Sequence, residues 1–441
     1  MRPLLIRGGH LFDPGRGLDM TGSLLVTGGL ISWIGEEGEE APVAEVDLLP
    51  AEGLYVCPGF IDLHCHLREP GFEYKETIAT GTAAAARGGF TTVCCMPNTQ
   101  PPLDTPGRIA DLASRAAADA LVRVLPVAAI SRGRNGRELV DMAALAQAGV
   151  VGFSDDGDPV ADAELMRRAL LASRDLHLPV ISHCEDRQIS RNGVMNRGPV
   201  SERLGVAGIP SAAEVMMVSR DIGLARETGG WLHIAHISAE DSVDLLARAR
   251  AEGVNVTAEV TPHHLTLTEE LVINLAGGAK VNPPLRSLRD VREMVRALRN
   301  GTIDVIATDH APHAAADKAG TLEEAAFGFS GLETAFGSVM SLYHSGEVPL
   351  ATIITSLTGA PARILGGRFG WLGELAPGAQ ADITIFDPDR EWTVDPAAFA
   401  SRGRNTPLAG TLLRGKVLAT IFRGRRVWQD RAMRARAARR G

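Results

Sequence analysis

The sequence predicts an α/β protein: a (β/α)8 TIM barrel with a small composite β-sandwich built from both ends of the chain. Between about residues 58 and 365, apolar β-rich runs alternate eight times with helical runs rich in Ala, Leu and Arg. Apolar strands spaced by helices indicate a parallel sheet buried on both faces, and eight such units indicate a closed barrel. Each flank has short strands and glycine turns but is small for a core of its own. We therefore expect sandwich parts at 1–57 and 366–441, the latter with a basic tail, and a catalytic barrel at 58–365.

Composition and charge argue against several classes of protein. The chain has 441 residues, 45% of them hydrophobic, and 45 basic against 53 acidic side chains give a formal net charge of −8. That mild acidity argues against nucleic-acid binding. No apolar run approaches the ~18 residues of a membrane span, and the N-terminus lacks the apolar segment of a secretion signal. We expect a cytoplasmic protein without membrane attachment. The five cysteines form no CxxC pair, so neither a disulfide framework nor a thiolate zinc site is indicated.

The eight predicted barrel strands are short apolar runs. Several of the segments between them place apolar residues at i, i+3 and i+4, which is typical of amphipathic helices. Two examples are AELMRRALLASRDL and RDVREMVRALRNG. The strands are expected at 58–63, 89–96, 121–129, 149–154, 178–182, 231–235, 254–260 and 303–308.

The first barrel strand ends in a histidine pair. His64 and His66 are two residues apart, so in a strand they project to the same side and Cys65 projects to the other. Two neighbouring imidazoles make half of a metal site. An isolated pair of this kind is equally consistent with structural histidines, so the other strands decide the interpretation.

Nearly every other strand also ends in a polar or metal-binding residue. Such barrels carry their functional groups at the C-terminal ends of the strands, so these side chains should meet. Imidazole and carboxylate ligands together suit zinc, with cobalt or manganese as substitutes. We expect one or two cations held by His64, His66, Asp156, His183, His236 and Asp309.

Two metals in close contact need a bridging anion, which in many barrels of this type is a carboxylated lysine. The chain has only four lysines, and none lies between Lys75 and Lys280. The fourth strand therefore offers an aspartate as the bridge, or there is a single metal. We favour Asp156 over Asp155, which would instead cap the following turn.

Several further histidines and cysteines are weighed as structural. His233 is left out of the site as a structural residue, and His263 and His264 are favoured as structural or supporting residues over direct ligands. Cys94 and Cys95 are expected to fill the core beside the second strand.

The predicted site suits hydrolysis of an amide or its reversal. A bound metal activates water and polarises a carbonyl oxygen, and Asp309 is placed to move a proton to a leaving nitrogen. Arg68, Asn98 and His313 reach the same mouth, and an arginine can hold a carboxylate through two hydrogen bonds. An acidic small-molecule substrate is therefore expected.

Nine motifs in order make the chain resemble the bacterial class I dihydroorotases of the amidohydrolase superfamily. They are FIDLHCHLREPG, MPNT, FSDDG, ISHCED, IAHIS, VTPHHL, KVNPPLR, ATDHAPH and AFGFSGLET, and they span about residues 58 to 335. The resemblance implies a metal-dependent barrel that interconverts N-carbamoyl-L-aspartate and L-dihydroorotate in de novo pyrimidine (UMP) biosynthesis. It also implies a homo-oligomer and a possible complex with aspartate carbamoyltransferase.

The resemblance also assigns residue roles. Asp309 would be the acid/base as well as a metal ligand, and residues 314–329 would form a mobile loop over the substrate. Substrate contacts would come from His66, Leu67, Arg68, Asn98, Asn282, His313 and the backbone of Phe327 and Gly328. The alternatives are a hydantoinase, dihydropyrimidinase or allantoinase on the same barrel, or an inactive scaffold for the carbamoyltransferase.

Overall fold

The computed structural model describes residues 2–43, 45–431 and 433. Within the predicted basic tail, Arg425–Gln429 form a strand, and 432 and 434–441 lie outside the described residues. The strands are β1 (Leu4–Asp13), β2 (Leu18–Thr27), β3 (Leu30–Glu36), β4 (Asp47–Pro50), β5 (Tyr55–Pro58), β6 (Phe60–Cys65), β7 (Phe90–Cys95), β8 (Arg123–Pro126), β9 (Val180–Ser182), β10 (Met195–Asn196), β11 (Gly208–Ile209), β12 (Leu232–Ile234), β13 (Val256–Val260), β14 (Val305–Ile306), β15 (Ile383–Thr393), β16 (Leu412–Phe422) and β17 (Arg425–Gln429).

The helices lie mainly between the barrel strands. They are α1 (Ile78–Gly88), α2 (Pro106–Asp119), α3 (Met142–Gln147), α4 (Ala163–Leu176), α5 (Arg187–Ser190), α6 (Pro199–Leu204), α7 (Ala212–Thr228), α8 (Glu240–Ala251), α9 (Pro262–Thr266), α10 (Val272–Leu275), α11 (Leu288–Arg299), α12 (Ala315–Lys318), α13 (Ala335–His344), α14 (Leu350–Leu357) and α15 (Gly359–Leu365). Side-chain caps begin several of them, such as Asp162 on α4 and Ser287 on α11. No helix of the described residues is long and apolar enough to cross a membrane.

The predicted barrel is confirmed. Its strands pair in parallel as β6-β7-β8 and as β9-β12-β13-β14. Phe153 joins the two sheets through parallel bridges to Ala128 and Val180. A bridge between Cys65 and His310 closes the ring. The carboxyl ends of all these strands therefore meet at one rim.

The fourth barrel strand is shorter than predicted. The run expected at 149–154 contributes bridges only at Phe153, whose N–H donates to the carbonyl of Pro179 at 3.0 Å. Pro126 and Pro179 lie in the neighbouring segments and accept from Val151 and Phe153, but proline has no N–H with which to donate to this run in return.

Strands from both ends of the chain form one eight-stranded sheet. Its order is β17-β16-β15-β5-β1-β2-β3, with β4 paired to β1. Ile6 and Leu24 from the first part pack in one buried cluster with Ile383 and Ile421 from the last part. The Arg123 side chain of β8 reaches this sheet through a 2.7 Å ion pair with Asp382, and both groups are buried. The flanks thus share a core that neither could form alone.

Candidate active site

All six predicted metal-binding residues converge at the rim of the barrel. Asp156 lies at their centre: its Oδ1 is 3.4 Å from His64 Nε2, 3.5 Å from His236 Nε2 and 3.7 Å from His183 Nδ1. Its Oδ2 is 3.5 Å from His66 Nε2. All these side chains are buried. The carboxylate of Asp156 therefore faces four imidazoles at once.

The ligand atoms form two adjoining groups that share Asp156. One contains His64 and His66, and the other contains His183 and His236; within each group the candidate atoms lie within 4.8 Å of one another. Asp309 joins the first group, with its Oδ1 3.0 Å from His66 Nε2 and 3.6 Å from His64 Nε2. The two groups could each hold a metal ion, and Asp156 is the residue that they share.

Buried polar atoms at the site fit a divalent cation. His64 Nε2, Asp156 Oδ1 and His236 Nδ1 have no hydrogen-bond partner among the described residues. Leaving such atoms unpaired costs about 1–3 kcal/mol each. His64 Nε2 and Asp156 Oδ1 point into the space between the ligands, and imidazole with carboxylate is a donor set that zinc accepts. The residues present therefore fit the metal that the sequence predicts.

The backbone is strained at three residues of the rim. The φ angle is +62° at Arg68, +32° at His236 and +44° at Asp309, in the left-handed region that non-glycine residues rarely adopt. Such strain persists only where the surroundings enforce it.

Below Asp309, the buried carboxylate of Asp62 accepts hydrogen bonds from the N–H and hydroxyl of Thr308 at 2.8 and 2.5 Å. Burial raises the pKa of Asp62 to about 6.

A glutamate that the sequence analysis missed orients the ligand His64. Glu259 Oε1 lies 2.6 Å from His64 Nδ1, and its Oε2 lies 3.1 Å from His233 Nε2. Burial raises the pKa of Glu259, but His64 and His233 outweigh this and hold it well below its usual range. The carboxylate fixes His64 with Nε2 toward the metal position. A glutamate inside the apolar strand VTAEV was the available signal.

A second missed glutamate links the metal position to the substrate cavity. Glu185 Oε2 lies 3.4 Å from His183 Nε2 and accepts a 2.9 Å hydrogen bond from Asn282 Nδ2. Burial opposes its ionisation, but the hydrogen bond and charge of His183 outweigh burial and lower the pKa of Glu185 to about 2. Glu185 therefore orients both side chains as an anion.

The histidines that were set aside have structural contacts, but Asp155 differs from prediction. His264 Nε2 lies 3.1 Å from the carbonyl of Pro283, and His263 packs edge-on against Phe329. Asp155 does not cap the following turn with its side chain. Instead its Oδ1 accepts the N–H groups of Ile130 and Ser131 at 2.8 and 3.1 Å, because its side chain points back to the preceding loop.

An open cavity of about 380 Å³ lies above the metal-binding residues. Leu67 is absent from its wall; that side chain is 2% exposed and packs in the barrel core. The arginines Arg187 and Arg191, which the sequence analysis did not consider, also line the cavity. The other predicted substrate residues all line the cavity, namely His66, Arg68, Asn98, Asn282, His313, Phe327 and Gly328.

His313 is held as a neutral imidazole at the cavity mouth. Burial, Arg68 and Lys75 lower its pKa to about 3. Its Nε2 lies 2.8 Å from the carbonyl of Phe327, which can only accept, so Nε2 carries the proton. Nδ1 then accepts from Lys75 Nζ at 3.3 Å.

Comparison with known proteins identifies the family. The model of the dihydro-orotase-like family matches residues 53–242, and that of the amidohydrolase family matches residues 211–428. The dihydroorotase of Pelotomaculum thermopropionicum is 51% identical over 98% of this chain and all of its own length. That of Syntrophus aciditrophicus is 46% identical over 97% of this chain and 99% of its own. The chain belongs to the dihydroorotase family.

Solved structures with a similar fold were found for this dihydroorotase-family chain. The L-hydantoinase (dihydropyrimidinase) of Arthrobacter aurescens superposes with a TM-score of 0.87 and 23% identity, covering 97% of this chain and 96% of its own. The dihydropyrimidinase of Brevibacillus agri NCHU1002 gives a TM-score of 0.84, also at 23% identity, over 97% and 95% of the two chains. The likeness shows that the fold of this chain, a barrel with a β domain, is shared with these structures.

In this dihydroorotase-family chain, two lysines, Lys318 and Lys280, hold residues 314–329 through hydrogen bonds to backbone carbonyls. Lys318 Nζ donates to the carbonyls of Lys280, Ala326 and Gly328 at 3.0, 2.8 and 3.2 Å. Lys280 Nζ donates to the carbonyl of Glu323 at 2.9 Å and lies 4.4 Å from the ring of Phe327. The predicted mobility of this segment stays a prediction; Phe327 and Gly328 of the segment line the cavity.

Proposed function

We propose that this chain is a zinc-dependent dihydroorotase, which interconverts N-carbamoyl-L-aspartate and L-dihydroorotate in de novo pyrimidine biosynthesis. One observation carries the proposal: two histidine pairs share the carboxylate of Asp156 directly beneath a cavity with an arginine in its wall. The 51% identity to a dihydroorotase over 98% of this chain supports the choice of substrate.

His64, His66, Asp156 and Asp309 would hold one cation, and Asp156, His183 and His236 a second. Zinc is the expected metal, with cobalt or manganese as substitutes. When bound, the metal supplies activated water at neutral pH and polarises the carbonyl of the ring. Glu259 and Glu185 keep His64 and His183 in the orientation that binding requires.

The cavity wall would bind the substrate carboxylate and its ring. Arg68 supplies the guanidinium, and Asn98 adds hydrogen-bond donors next to it. The backbone of Phe327 and Gly328 would contact the ring from above, and Asn282, held by Glu185, from the side.

Asp309 would act as the acid and base. In the hydrolytic direction its carboxylate takes a proton from the attacking water and gives it to the leaving ring nitrogen, while the carbon–nitrogen bond breaks. In cyclisation the same carboxylate removes the proton from that nitrogen. Cyclisation consumes one carboxylate and one proton and releases water, so acid favours dihydroorotate.

The proposal also covers the assembly of the protein and the boundaries of its domains. The chain would form a homo-oligomer and could associate with aspartate carbamoyltransferase, and its segments would divide near residues 57 and 365. The shared core of the first and last strands supports this division.

The test is an ultraviolet assay of dihydroorotate turnover before and after metal removal by a chelator. We expect turnover that is lost with the metal and restored by Zn²⁺. Equal turnover in the metal-free protein would contradict the metal assignment. Faster turnover of neutral hydantoins or dihydrouracil, together with loss of activity when bicarbonate is withheld, would indicate a hydantoinase or dihydropyrimidinase instead.

A further inference from the structure

A partly buried arginine outside the predicted site donates hydrogen bonds to the backbone that carries Asp156. Arg134 follows β8, and its side chain is only 14% exposed. Its Nη2 donates to the backbone carbonyl of Asp156 and, at 3.4 Å, to that of Asp155. The same nitrogen lies 2.8 Å from Oδ2 of Asp158. One guanidinium therefore contacts three neighbouring residues at the end of the fourth barrel strand.

The loop after β8 and the end of the fourth barrel strand are joined by hydrogen bonds from each side. Asp155 accepts the N–H groups of Ile130 and Ser131 and the hydroxyl of Ser131, so the fourth strand holds the loop that carries Arg134. The loop turns through left-handed backbone at Gly133 and Arg134, with φ angles of +62° and +54°. This turn brings the guanidinium back onto the residues beside Asp156.

Arg134 shares its carboxylate partner with a second arginine. Asp158 lies 2.8 Å from Arg134 and 2.7 Å from Arg187, whose Nη2 also donates to the carbonyl of Gly157. Arg134 touches the main chain of Asp156 and leaves both carboxylate oxygens free for other partners. The contact therefore acts on the position of Asp156 and not on its charge.

We infer that Arg134 is a positioning residue that keeps Asp156 within reach of both metal positions. The inference rests on the proposed function, because it requires Asp156 to be a metal ligand. An aspartate side chain has only two rotatable bonds, so where its oxygens lie depends on where its backbone is held. Asp156 must serve two ligand groups at once, and a small backbone displacement would cost one of them.

A positioning role and a purely electrostatic role predict opposite results for Arg134→Met. Removing a positive charge near a cation site should raise affinity for Zn²⁺ if only Coulomb interactions matter. Releasing the backbone of Asp156 should lower it. Arg132→Met is the matched control, since Arg132 lies in the same turn, is 62% exposed and pairs with Glu138 on the surface.

The experiment titrates metal-free full-length protein with Zn²⁺ against a competing chelator and records the visible spectrum with Co²⁺. For Arg134→Met we expect Zn²⁺ affinity to fall by about 10-fold or more, as for other supporting residues of metal ligands, with an altered Co²⁺ spectrum. Arg134→Gln should change both in the same direction, and Arg132→Met should match the wild type. In the Zn²⁺-loaded enzyme, kcat should fall while KM stays close to the wild-type value, because Arg68 is untouched.

Unchanged or raised Zn²⁺ affinity in Arg134→Met would overturn the inference. If that variant does not fold, as judged by circular dichroism, wild-type affinity in Arg134→Gln would overturn it equally. Failure of the wild-type protein to bind Zn²⁺ or to turn over dihydroorotate would contradict the proposed function instead, so the two failures are distinct.

Discussion

Asp309 combines a strained backbone with contact to His66, and its proposed role can be separated from folding. Asp309→Asn keeps the size of the side chain but removes its capacity to accept a proton. Turnover should fall by at least about 10²-fold in both directions, the lower range for loss of a general acid or base. Binding of dihydroorotate, measured by calorimetry, should persist.

Asp244→Asn serves as the control for Asp309→Asn, because Asp244 is exposed on α8. It should retain wild-type turnover. Substantial activity in Asp309→Asn in either direction would exclude the proton-transfer role.

Arg68 is the residue expected to recognise the negative charge of the substrate. Its guanidinium lines the cavity and donates from Nε to the carbonyl of Pro312 at 3.2 Å. Removing a charged hydrogen-bond partner costs about 1.5–3 kcal/mol, so Arg68→Ala should raise KM for dihydroorotate roughly 10- to 100-fold.

The comparison for Arg68→Ala is a neutral cyclic amide, assayed with the same variant. Its KM should change much less, and exposed Arg137→Ala should change neither value. Equal effects of Arg68→Ala on both substrates would remove the carboxylate assignment.

At the level of elements, the segment over the cavity depends on Lys318. Lys318→Met removes three hydrogen bonds to backbone carbonyls. Amide hydrogen exchange within residues 314–329 should therefore accelerate, measured by mass spectrometry on peptides from this segment. Lys416→Met, which breaks a pair with Asp430 in the β domain, should leave exchange there unchanged. Wild-type exchange in Lys318→Met would show that other contacts hold the segment.

Lys318 also predicts a pH dependence of stability. Burial and then the charge of Lys280 lower its pKa from 10.5 to about 8. Between these values the unfolded chain binds the proton more tightly than the folded one, so the free energy of unfolding rises with pH. Urea unfolding should therefore show the wild type gaining stability relative to Lys318→Met from pH 8 to 10. A relative loss over that range would contradict the assignment.

The elements that the sequence could predict are those with a strong local pattern. The barrel follows from apolar runs spaced by helices, and Asp156 follows from its place after the fourth run. The shortening of that run to Phe153 depends on Pro126 and Pro179, which lie beside it only after folding. Arg134 was missed because its partner is 22 positions away and no local pattern marks such a contact. Glu259 was marked only by its charge inside an apolar strand, and its partner His64 is 195 positions away.

For the whole molecule, one buried ion pair fastens the β domain to the barrel. Arg123 Nη1 donates to Asp382 Oδ2 at 2.7 Å and to Thr92 Oγ1 at 2.7 Å. Arg123→Met would leave Asp382 as an unpaired buried charge, which costs about 3–5 kcal/mol. The free energy of unfolding should fall by that amount in chemical denaturation.

The double variant Arg123→Met/Asp382→Asn tests the cause of that loss. It removes the unpaired negative charge of Asp382, so the double variant should be more stable than Arg123→Met alone. Equal instability of the two variants would mean that packing at Arg123, and not charge, holds the domains together.

The aspartate at the end of the fourth strand has a consequence for how the proposed centre is assembled. A carboxylated lysine must first capture dissolved carbon dioxide, so its maturation depends on the gas content of the cell. Asp156 needs no such modification, and Arg134 donates a hydrogen bond to its backbone carbonyl. Maturation of this enzyme should therefore respond to the supply of metal ions and be indifferent to carbonation of the medium.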